Sequence, residues 1–233
     1  MSWGVPARRR GVELLDAPDA DPALAARSLR DVARANTLFG GTAAVRAALR
    51  PLWPQLAPRA RLLDVGAGRG DILEALQRDG ARSGITVEAL ALEHTAPLAR
   101  AIAQRTTSRA LCGDGHALPF ADRSVDLIVL SQLLHHFADD EARGLVRECL
   151  RVARVGVVIG DLRRSWFAAA GLWLASFPLG FHPVSRHDGV VSVLRGYRRA
   201  ELRALLRPLG DGPLDVRDRP GFRVTATLLH PPS

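Results

Sequence analysis

The chain has 233 residues, of which 47% are apolar and 24% are charged, and this composition excludes a globally disordered chain and suits one α/β domain. The net charge is +8, but all 32 basic residues are arginines spread along the chain, so the charge alone does not indicate a nucleic-acid surface. The longest apolar stretch, residues 166–181, is shorter than the roughly 20 residues of a membrane-spanning helix, so we predict no transmembrane segment.

The N-terminal part of the chain is predicted to form a helical extension, residues 1–56, ahead of the core. Residues 1–20 are rich in Pro, Arg and Asp and are expected to be loosely ordered. A helix is predicted to follow Asp21, whose carboxylate can cap it, and a second helix is predicted at 42–49.

Strands and helices alternate through the middle of the chain. The predicted strands are 61–65, 85–92, 110–112, 125–130 and 155–159, and the predicted helices are 71–78, 96–105 and 140–152, the last capped by Asp139 or Asp140. Helical stretches of about ten residues between strands are typical of βαβ units with a parallel sheet. A helix at 197–206 and an antiparallel hairpin of strands 214–217 and 223–229 are predicted to end the chain.

A glycine-rich turn follows the first predicted core strand. Gly66, Gly68 and Gly70 have the spacing G-x-G-x-G, and a buried strand that ends in such a turn and leads into a helix is typical of a nucleotide-type site. A dinucleotide site would have its third glycine at position 71, where this chain has Asp71. The carboxylates of Asp71 and Asp64 would repel a pyrophosphate and attract the ammonium group of an amino acid.

Further acids follow the next two predicted strands. Glu93 lies close to the spacing at which an acid binds a ribose, and Asp114 could accept a hydrogen bond from an adenine amine. Taken singly, Glu93 could be a solvated acid at a strand end and Asp114 a turn residue. Three acids after three successive strands indicate one edge of a ligand crevice.

With these motifs, residues 60–160 resemble the class I S-adenosylmethionine-dependent methyltransferases, most closely those of quinone biosynthesis and bacterial small-molecule methylation. The resemblance implies a Rossmann-like, seven-stranded, mostly parallel sheet with the last strand antiparallel, and S-adenosyl-L-methionine as the cofactor. It implies that the following residues bind the cofactor: Asp64, Gly66, Ala67, Gly68, Gly70, Asp71, Glu93, His94, Asp114, Gly115 and Ser131. The family often has Asp where Glu93 stands. The signature of amino-group nucleic-acid methyltransferases is absent, because residues 131–134 read Ser-Gln-Leu-Leu.

Candidate catalytic residues follow the strand that the resemblance places nearest the methyl group. His135 and His136 are the predicted general bases, and the alternative is that they hydrogen-bond the loop. Asp161, His182 and His187 are weaker candidates. No metal site is predicted, because Cys112 and Cys149 are far apart and have no CxxC partner.

The domain is predicted to consist of the extension, a cofactor-binding core at 57–160, an apolar insertion at 161–196, and a C-terminal helix and hairpin at 197–233. The insertion is rich in Trp, Phe and Leu and is expected to cover a pocket for the methyl acceptor. Core packing and a dimer or membrane contact are the alternatives.

The predicted function is methyl transfer to an oxygen atom of a small lipophilic or aromatic acceptor, in bacterial secondary or quinone-like metabolism. An RNA or protein methyltransferase and a non-catalytic interaction protein are the alternatives. We expect a cytoplasmic protein that does not bind nucleic acid, and a homodimer is left open.

Overall fold

A computed structural model describes residues 5–8, 11–14 and 21–231. Within these residues the strands form one seven-stranded sheet: β1 (Arg59–Val65), β2 (Thr86–Glu93), β3 (Arg109–Cys112), β4 (Val125–Ser131), β5 (Ala153–Leu162), β6 (Leu214–Arg219) and β7 (Arg223–Leu229). Their order is β3-β2-β1-β4-β5-β7-β6. The first five strands are mutually parallel, and β7 is antiparallel to both β5 and β6. The predicted mostly parallel sheet and C-terminal hairpin are confirmed.

The direction of strand succession reverses between β1 and β4, because the chain moves outward from β1 to β3 and then returns to the other side of β1. Open parallel sheets bind ligands in the crevice outside the carboxyl ends of the strands at such a switch point. The turns after β1 and β4 flank this crevice, and these turns contain the glycine motif and the two adjacent histidines.

Helices cover both faces of the sheet: α1 (Pro22–Leu38), α2 (Gly41–Leu49), α3 (Asp71–Arg82), α4 (Ala96–Arg105), α5 (Asp139–Val152), α6 (Trp166–Ser176), α7 (Pro183–Arg195) and α8 (Arg199–Leu206). On β1, Leu62 packs into the apolar cluster on one face and Leu63 into the cluster on the other. Because side chains alternate along a strand and both faces are covered, the strands read as nearly continuous apolar runs.

The caps of α1 and α5 test two local predictions. The Asp21 carboxylate accepts the Ala23 N–H at 2.8 Å, as predicted. The prediction for α5 is wrong: its cap is Ala138, and Asp139 and Asp140 lie in the first turn of the helix. The Glu141 carboxylate accepts the Ala138 N–H at 2.9 Å and so satisfies a donor that precedes the helix.

The described segments before α1 are anchored to the rest of the protein, contrary to the expectation of loose order. The Leu14 N–H donates to the Asp188 carboxylate at 2.8 Å, and Arg164 donates to the Pro6 carbonyl at 2.8 Å. For residues 1–4, 9–10 and 15–20 the prediction lies outside the described residues.

The insertion after β5 consists of α6 and α7, which pack against each other, and α7 also contacts α1 and the turn at 134–136. Among the helices that the structure describes, none is long and apolar enough to cross a bilayer.

Candidate cofactor and acceptor site

The glycine turn between β1 and α3 requires its glycines for conformational reasons. Gly66, Gly68 and Gly70 have φ values of +72°, +59° and +74°, in the left-handed region that other residues rarely adopt. The Gly66 N–H donates to the Leu92 carbonyl at 2.9 Å, and the Gly70 N–H donates to the Ala67 carbonyl at 2.8 Å. The first bond holds the turn against the end of β2, beside the crevice, and the second closes the turn itself.

Glu93 is the last residue of β2 and meets the glycine turn directly. Its buried carboxylate accepts the Gly68 N–H. Burial raises the pKa of Glu93, although the hydrogen bonds from the backbone of Gly68 and His94 act against this rise. The structure therefore brings the predicted ribose acid and the glycine motif together at one edge of the sheet.

Asp64 lies next to the end of β1 and is almost completely buried. Neither of its carboxylate oxygens has a hydrogen-bond partner among the described residues. Burial raises the pKa of Asp64 well above its ordinary value, and the nearby Glu93 raises it further. A buried carboxylate without donors is costly, and the ammonium group of an amino-acid ligand would supply both charge and donors.

Asp71 does not provide the free carboxylate that the sequence argument required. Its Oδ1 atom lies 2.7 Å from the Arg105 guanidinium, and its Oδ2 atom lies 3.7 Å from that of Arg69. Because two arginines already balance its charge, Asp64 is the better candidate for the ammonium group, and cofactor binding by Asp71 stays a prediction.

Asp114 is exposed, and it accepts the His116 N–H at 2.9 Å. This backbone hydrogen bond is the main cause that lowers the pKa of Asp114, so the residue remains an acceptor at neutral pH. The end of β3 lies beside Glu93, which pairs with Cys112 in the sheet. Glu93 at the end of β2 and Asp114 after β3 are therefore neighbours along one edge of the sheet. His94, which directly follows Glu93, is exposed.

Gly115 lies in a tightly packed position. A Cβ atom at this position would lie 2.9 Å from side-chain atoms of both Val65 and Leu145.

The turn after β4 contains a buried histidine–carboxylate pair. The Nδ1 atom of His135 lies 2.6 Å from Oδ1 of Asp161, whose other oxygen accepts the His135 backbone N–H at 3.1 Å. Ser131 at the end of β4 pairs with Gly160 on β5, which explains why the two side chains meet. Burial would raise the pKa of Asp161, but the charge and hydrogen bond of His135 outweigh it, and the pKa is lowered.

The consequence of this pair concerns the other ring nitrogen. When the ring of His135 is neutral, an ionised Asp161 that accepts from Nδ1–H leaves the lone pair on Nε2. That Nε2 atom is buried, and it has no partner in the part of the chain that the structure describes. The arrangement suits a general base, and it adds Asp161 as the residue that positions the ring.

His136 lies beside this pair, with its ring centroid 4.3 Å from that of His135. The Nδ1 atom of His136 is 3.9 Å from the carboxylate of Glu13, a residue that sequence reasoning did not select. One ligand atom each from Glu13, His135 and His136 lie within 4.8 Å of one another and could hold a divalent ion. The Glu13 carboxylate already accepts from Ser192 at 2.8 Å and from Arg195 at 3.0 Å, so we interpret the group as a hydrogen-bonded cluster.

Gln132, directly after β4, was also missed. It has a φ of +52°, and its side chain bonds Asn36 of α1 and accepts from the buried Arg223 at 3.1 Å. Non-glycine residues held in the left-handed region concentrate at functional sites. A lone glutamine after a strand gives no sequence signal of this conformation.

In the described part of the chain, most of the aromatic residues expected to line an acceptor pocket lie at the surface. The large apolar side chains on the outer side of α6 are exposed: Trp166, Phe167, Trp173, Leu174 and Phe177. It is α7 that contacts the turn bearing His135. His182 caps α7 by accepting the Val184 N–H, and His187 pairs with Asp188, so both of these weaker candidates have structural roles.

Residues 63–159 match a family model described as a methyltransferase domain. A demethylmenaquinone methyltransferase of Roseiflexus sp. (strain RS-1) is 35% identical over 123 residues, which cover 48% of this chain and 48% of that protein. A malonyl-(acyl-carrier protein) O-methyltransferase of Methylococcus capsulatus is 32% identical over 139 residues, which cover 54% of this chain and 47% of that protein. The chain spans about half the length of the curated relatives it matches.

Solved structures share the fold. The plantazolicin methyltransferase BpumL in complex with SAH superimposes with a TM-score of 0.65 at 13% identity, covering 92% of both chains. The magnesium protoporphyrin IX methyltransferase of Synechocystis has a TM-score of 0.54 at 14% identity, covering 85% of this chain and 87% of that one.

The sheet order, the glycine turn and the acids after β1 and β2 define an α/β domain that binds a nucleoside-bearing cofactor. More specifically, residues 63–159 match a methyltransferase domain, and the fold is that of solved S-adenosylmethionine-dependent methyltransferases, which agrees with the class I resemblance seen in the sequence. S-adenosylmethionine is the cofactor of this class, and the unpartnered carboxylate of Asp64 and the position of Glu93 fit it.

Proposed function

We propose that this protein transfers the methyl group of S-adenosylmethionine to a small lipophilic or aromatic acceptor, on an oxygen atom. The observation that carries this proposal is the buried Asp161–His135 pair, which leaves His135 Nε2 available for a proton at the end of β4. The names of the relatives support a small acceptor, since they include demethylmenaquinone and O-methyl transfer.

The proposed chemistry is a displacement in line with the sulfur–methyl bond. When bound, S-adenosylmethionine supplies an electrophilic methyl group on a positively charged sulfur. His135 Nε2 would accept the proton of the acceptor hydroxyl while the oxygen forms its bond to the methyl carbon and the sulfur–methyl bond breaks, so that S-adenosylhomocysteine leaves. The carboxylate of Asp161 holds the ring in the correct tautomer and stabilises the imidazolium that results, as in hydrolase triads. His136 lies at the exposed side of the pair, where an acceptor would enter.

We propose the following roles in cofactor binding. The carboxylate of Asp64 binds the ammonium group, and Glu93 binds the ribose hydroxyls beside His94. Asp114 accepts from the adenine amine, next to Gly115. The backbone of Gly66, Ala67, Gly68 and Gly70 lies against the ligand, and Ser131 lies at the opposite side of the crevice.

We further propose that residues 1–233 act as one methyltransferase unit with the boundaries predicted from the sequence. The packing of α2 against β5 and β7 supports this, because the N-terminal extension shares the core of the sheet. A cytoplasmic location is part of the proposal and is supported by the free thiols of Cys112, which is exposed, and Cys149.

Calorimetric titration with S-adenosylmethionine, S-adenosylhomocysteine and NAD tests the cofactor. Binding of both adenosyl compounds, and no binding of NAD, is expected. Transfer of labelled methyl groups to a panel of phenols, hydroquinones and fatty acids tests the acceptor, with bulk tRNA and a peptide mixture as competitors. Methylation of tRNA or peptides in preference to every small acceptor would refute the proposal.

A further inference from the structure

Helix α6 has a large apolar surface that the fold does not use. Its inner side packs through Ala169 against Leu162 and Val193. On its outer side, five large apolar residues are between 43% and 74% exposed, and we call them the apolar face of α6: Trp166, Phe167, Trp173, Leu174 and Phe177. Contiguous exposed apolar patches of this kind mark sites of interaction.

Cationic groups lie at the C-terminal end of this face. The ring of Phe177 contacts that of Trp173 edge-on, at 4.9 Å between centroids, and the guanidinium of Arg186 lies 3.6 Å from the Phe177 centroid. Arg27 donates to the carbonyl of Gly180 in the loop that follows α6. The apolar face therefore borders arginines whose charged groups can reach an anionic surface while their stems contact apolar groups.

The N-terminal end of α6 is also basic. An open cavity of about 640 Å³ adjoins Ser165, the cap of the helix, and four arginines line it: Arg163, Arg164, Arg198 and Arg199. Two acids pair with three of these arginines. Asp218 lies 3.2 Å from Arg163. Glu201 lies 2.6 Å from Arg164 and 3.1 Å from Arg198. In the sequence, residues 162–187 contain no Asp or Glu.

We propose that the apolar face of α6 docks this protein onto the surface of an anionic phospholipid bilayer. The aromatic and leucine side chains enter the boundary between head groups and acyl chains, and the arginines at the protein surface at both ends of the helix face lipid phosphates. Arg164 is not among them, because it is buried and donates to Pro6, Gly196 and Glu201. With 11 residues the helix lies along the surface, because it is far shorter than a spanning segment.

A second copy of the chain is a poorer occupant. A two-fold contact places the same patch of both subunits together, so the arginines around the patch would face arginines. An anionic surface complements them. Because α7 contacts both α6 and the turn of His135, docking would place the candidate active site close to a lipid-dissolved acceptor.

The test is flotation of the full chain with vesicles of phosphatidylcholine alone or with phosphatidylglycerol added. We expect binding to the anionic vesicles, weaker at high salt, and little binding to the neutral ones. The double variant Trp173→Ala/Leu174→Ala should lower the partition coefficient at least about ten-fold, since each buried side chain contributes strongly. Leu38→Ala is the matched control, because Leu38 is 57% exposed on α1 and Leu174 is 61% exposed on α6.

Absence of binding to anionic vesicles at low salt would overturn the proposal, as would an equal loss in Leu38→Ala. Light scattering of the vesicle-free protein separates the competing occupant: a wild-type dimer that Trp173→Ala/Leu174→Ala converts to a monomer, without vesicle binding, assigns the face to a second copy. Calorimetric affinity for S-adenosylhomocysteine shows that each variant is folded. If the double variant loses this affinity, vesicle binding of the single variant Leu174→Ala tests the proposal instead. Neither readout depends on methyl transfer.

Discussion

The Nδ1 atom of His135 lies 2.6 Å from the Oδ1 atom of Asp161, and both side chains are buried where β4 and β5 end side by side. The carboxylate also accepts the backbone N–H groups of His135 and Leu162, so its orientation is set by three donors. A lowered pKa keeps Asp161 ionised. When the ring of His135 is neutral, its proton lies on Nδ1 beside this carboxylate and Nε2 is the acceptor. The catalytic predictions begin with this relationship.

Replacing Asp161 by Asn should remove the charge that selects the Nδ1–H tautomer. We expect kcat to fall by about 10²-fold to 10⁴-fold, the range that general acid–base catalysis contributes, with little change in cofactor affinity. Kinetics with a phenolic acceptor and nitrogen NMR of the His135 ring test this prediction. An unchanged tautomer together with unchanged kcat would assign the pair a purely structural role.

Asp64→Asn should have opposite effects on stability and binding. The pKa of Asp64 is raised in the folded state, so the folded protein binds more protons than the unfolded chain. In an unfolded chain the pKa of Asp is about 3.9. The protein therefore loses stability as the pH rises from that value through the raised pKa of the folded state. The neutral variant should therefore unfold at a higher temperature than the wild type at pH 7. Below pH 4 the difference should vanish.

The same variant should bind S-adenosylmethionine more weakly, because the ammonium group loses its anionic partner. Thermal unfolding at several pH values and calorimetry measure the two effects. A variant that is both less stable at pH 7 and unaltered in cofactor affinity would contradict the role proposed for Asp64.

Glu93→Gln should weaken binding of S-adenosylhomocysteine by about ten-fold, the effect of losing hydrogen bonds to a charged acceptor. Glu88→Gln is the control on the same strand, because Glu88 pairs with Arg61 and Arg109 at the surface and lies away from the glycine turn. Calorimetry measures the affinity of both variants for S-adenosylhomocysteine. An equal loss of affinity in the two would show that the effect is not specific to the ribose position.

Gly66→Ala should cost more stability than Gly84→Ala. Both glycines have positive φ values, +72° and +76°, so each substitution should cost roughly 1–2 kcal/mol of backbone strain. The Cβ atom at Gly66 would lie 3.0 Å from Leu133, and the one at Gly84 would meet nothing within 4 Å. Urea denaturation compares the two variants. We expect only Gly66→Ala to lose cofactor affinity as well.

Local pattern predicts much of this protein because local physics produces it. The helix over Ala96–Arg105 is predicted to the residue, since periodicity and caps are short-range properties. The glycine turn is equally local, because residues that must adopt positive φ leave a direct trace in the sequence. The parallel sheet follows from alternation of strands and helices, and the resemblance to a methyltransferase class supplies the order of the acids.

Some outcomes depended on contacts that no local pattern encodes. The pairing of Asp71 with Arg105 joins the start of α3 to the end of α4, and it cancels a charge that the sequence reading left free. Glu13 reaches His136 only because the N-terminal segment is anchored against α7.

The amino-acid sequence by itself thus determined the sheet, the glycine turn and the acids at or after the ends of β1, β2 and β3, because strand alternation and turn chemistry act over a few residues. Only the tertiary structure decided which partner His135 has and which way α6 faces. The partner depends on two strand ends that are brought together across the sheet. The orientation of α6 was undetermined because the helix is apolar on all sides, so its pattern does not distinguish the face that packs on α7 from the face left exposed.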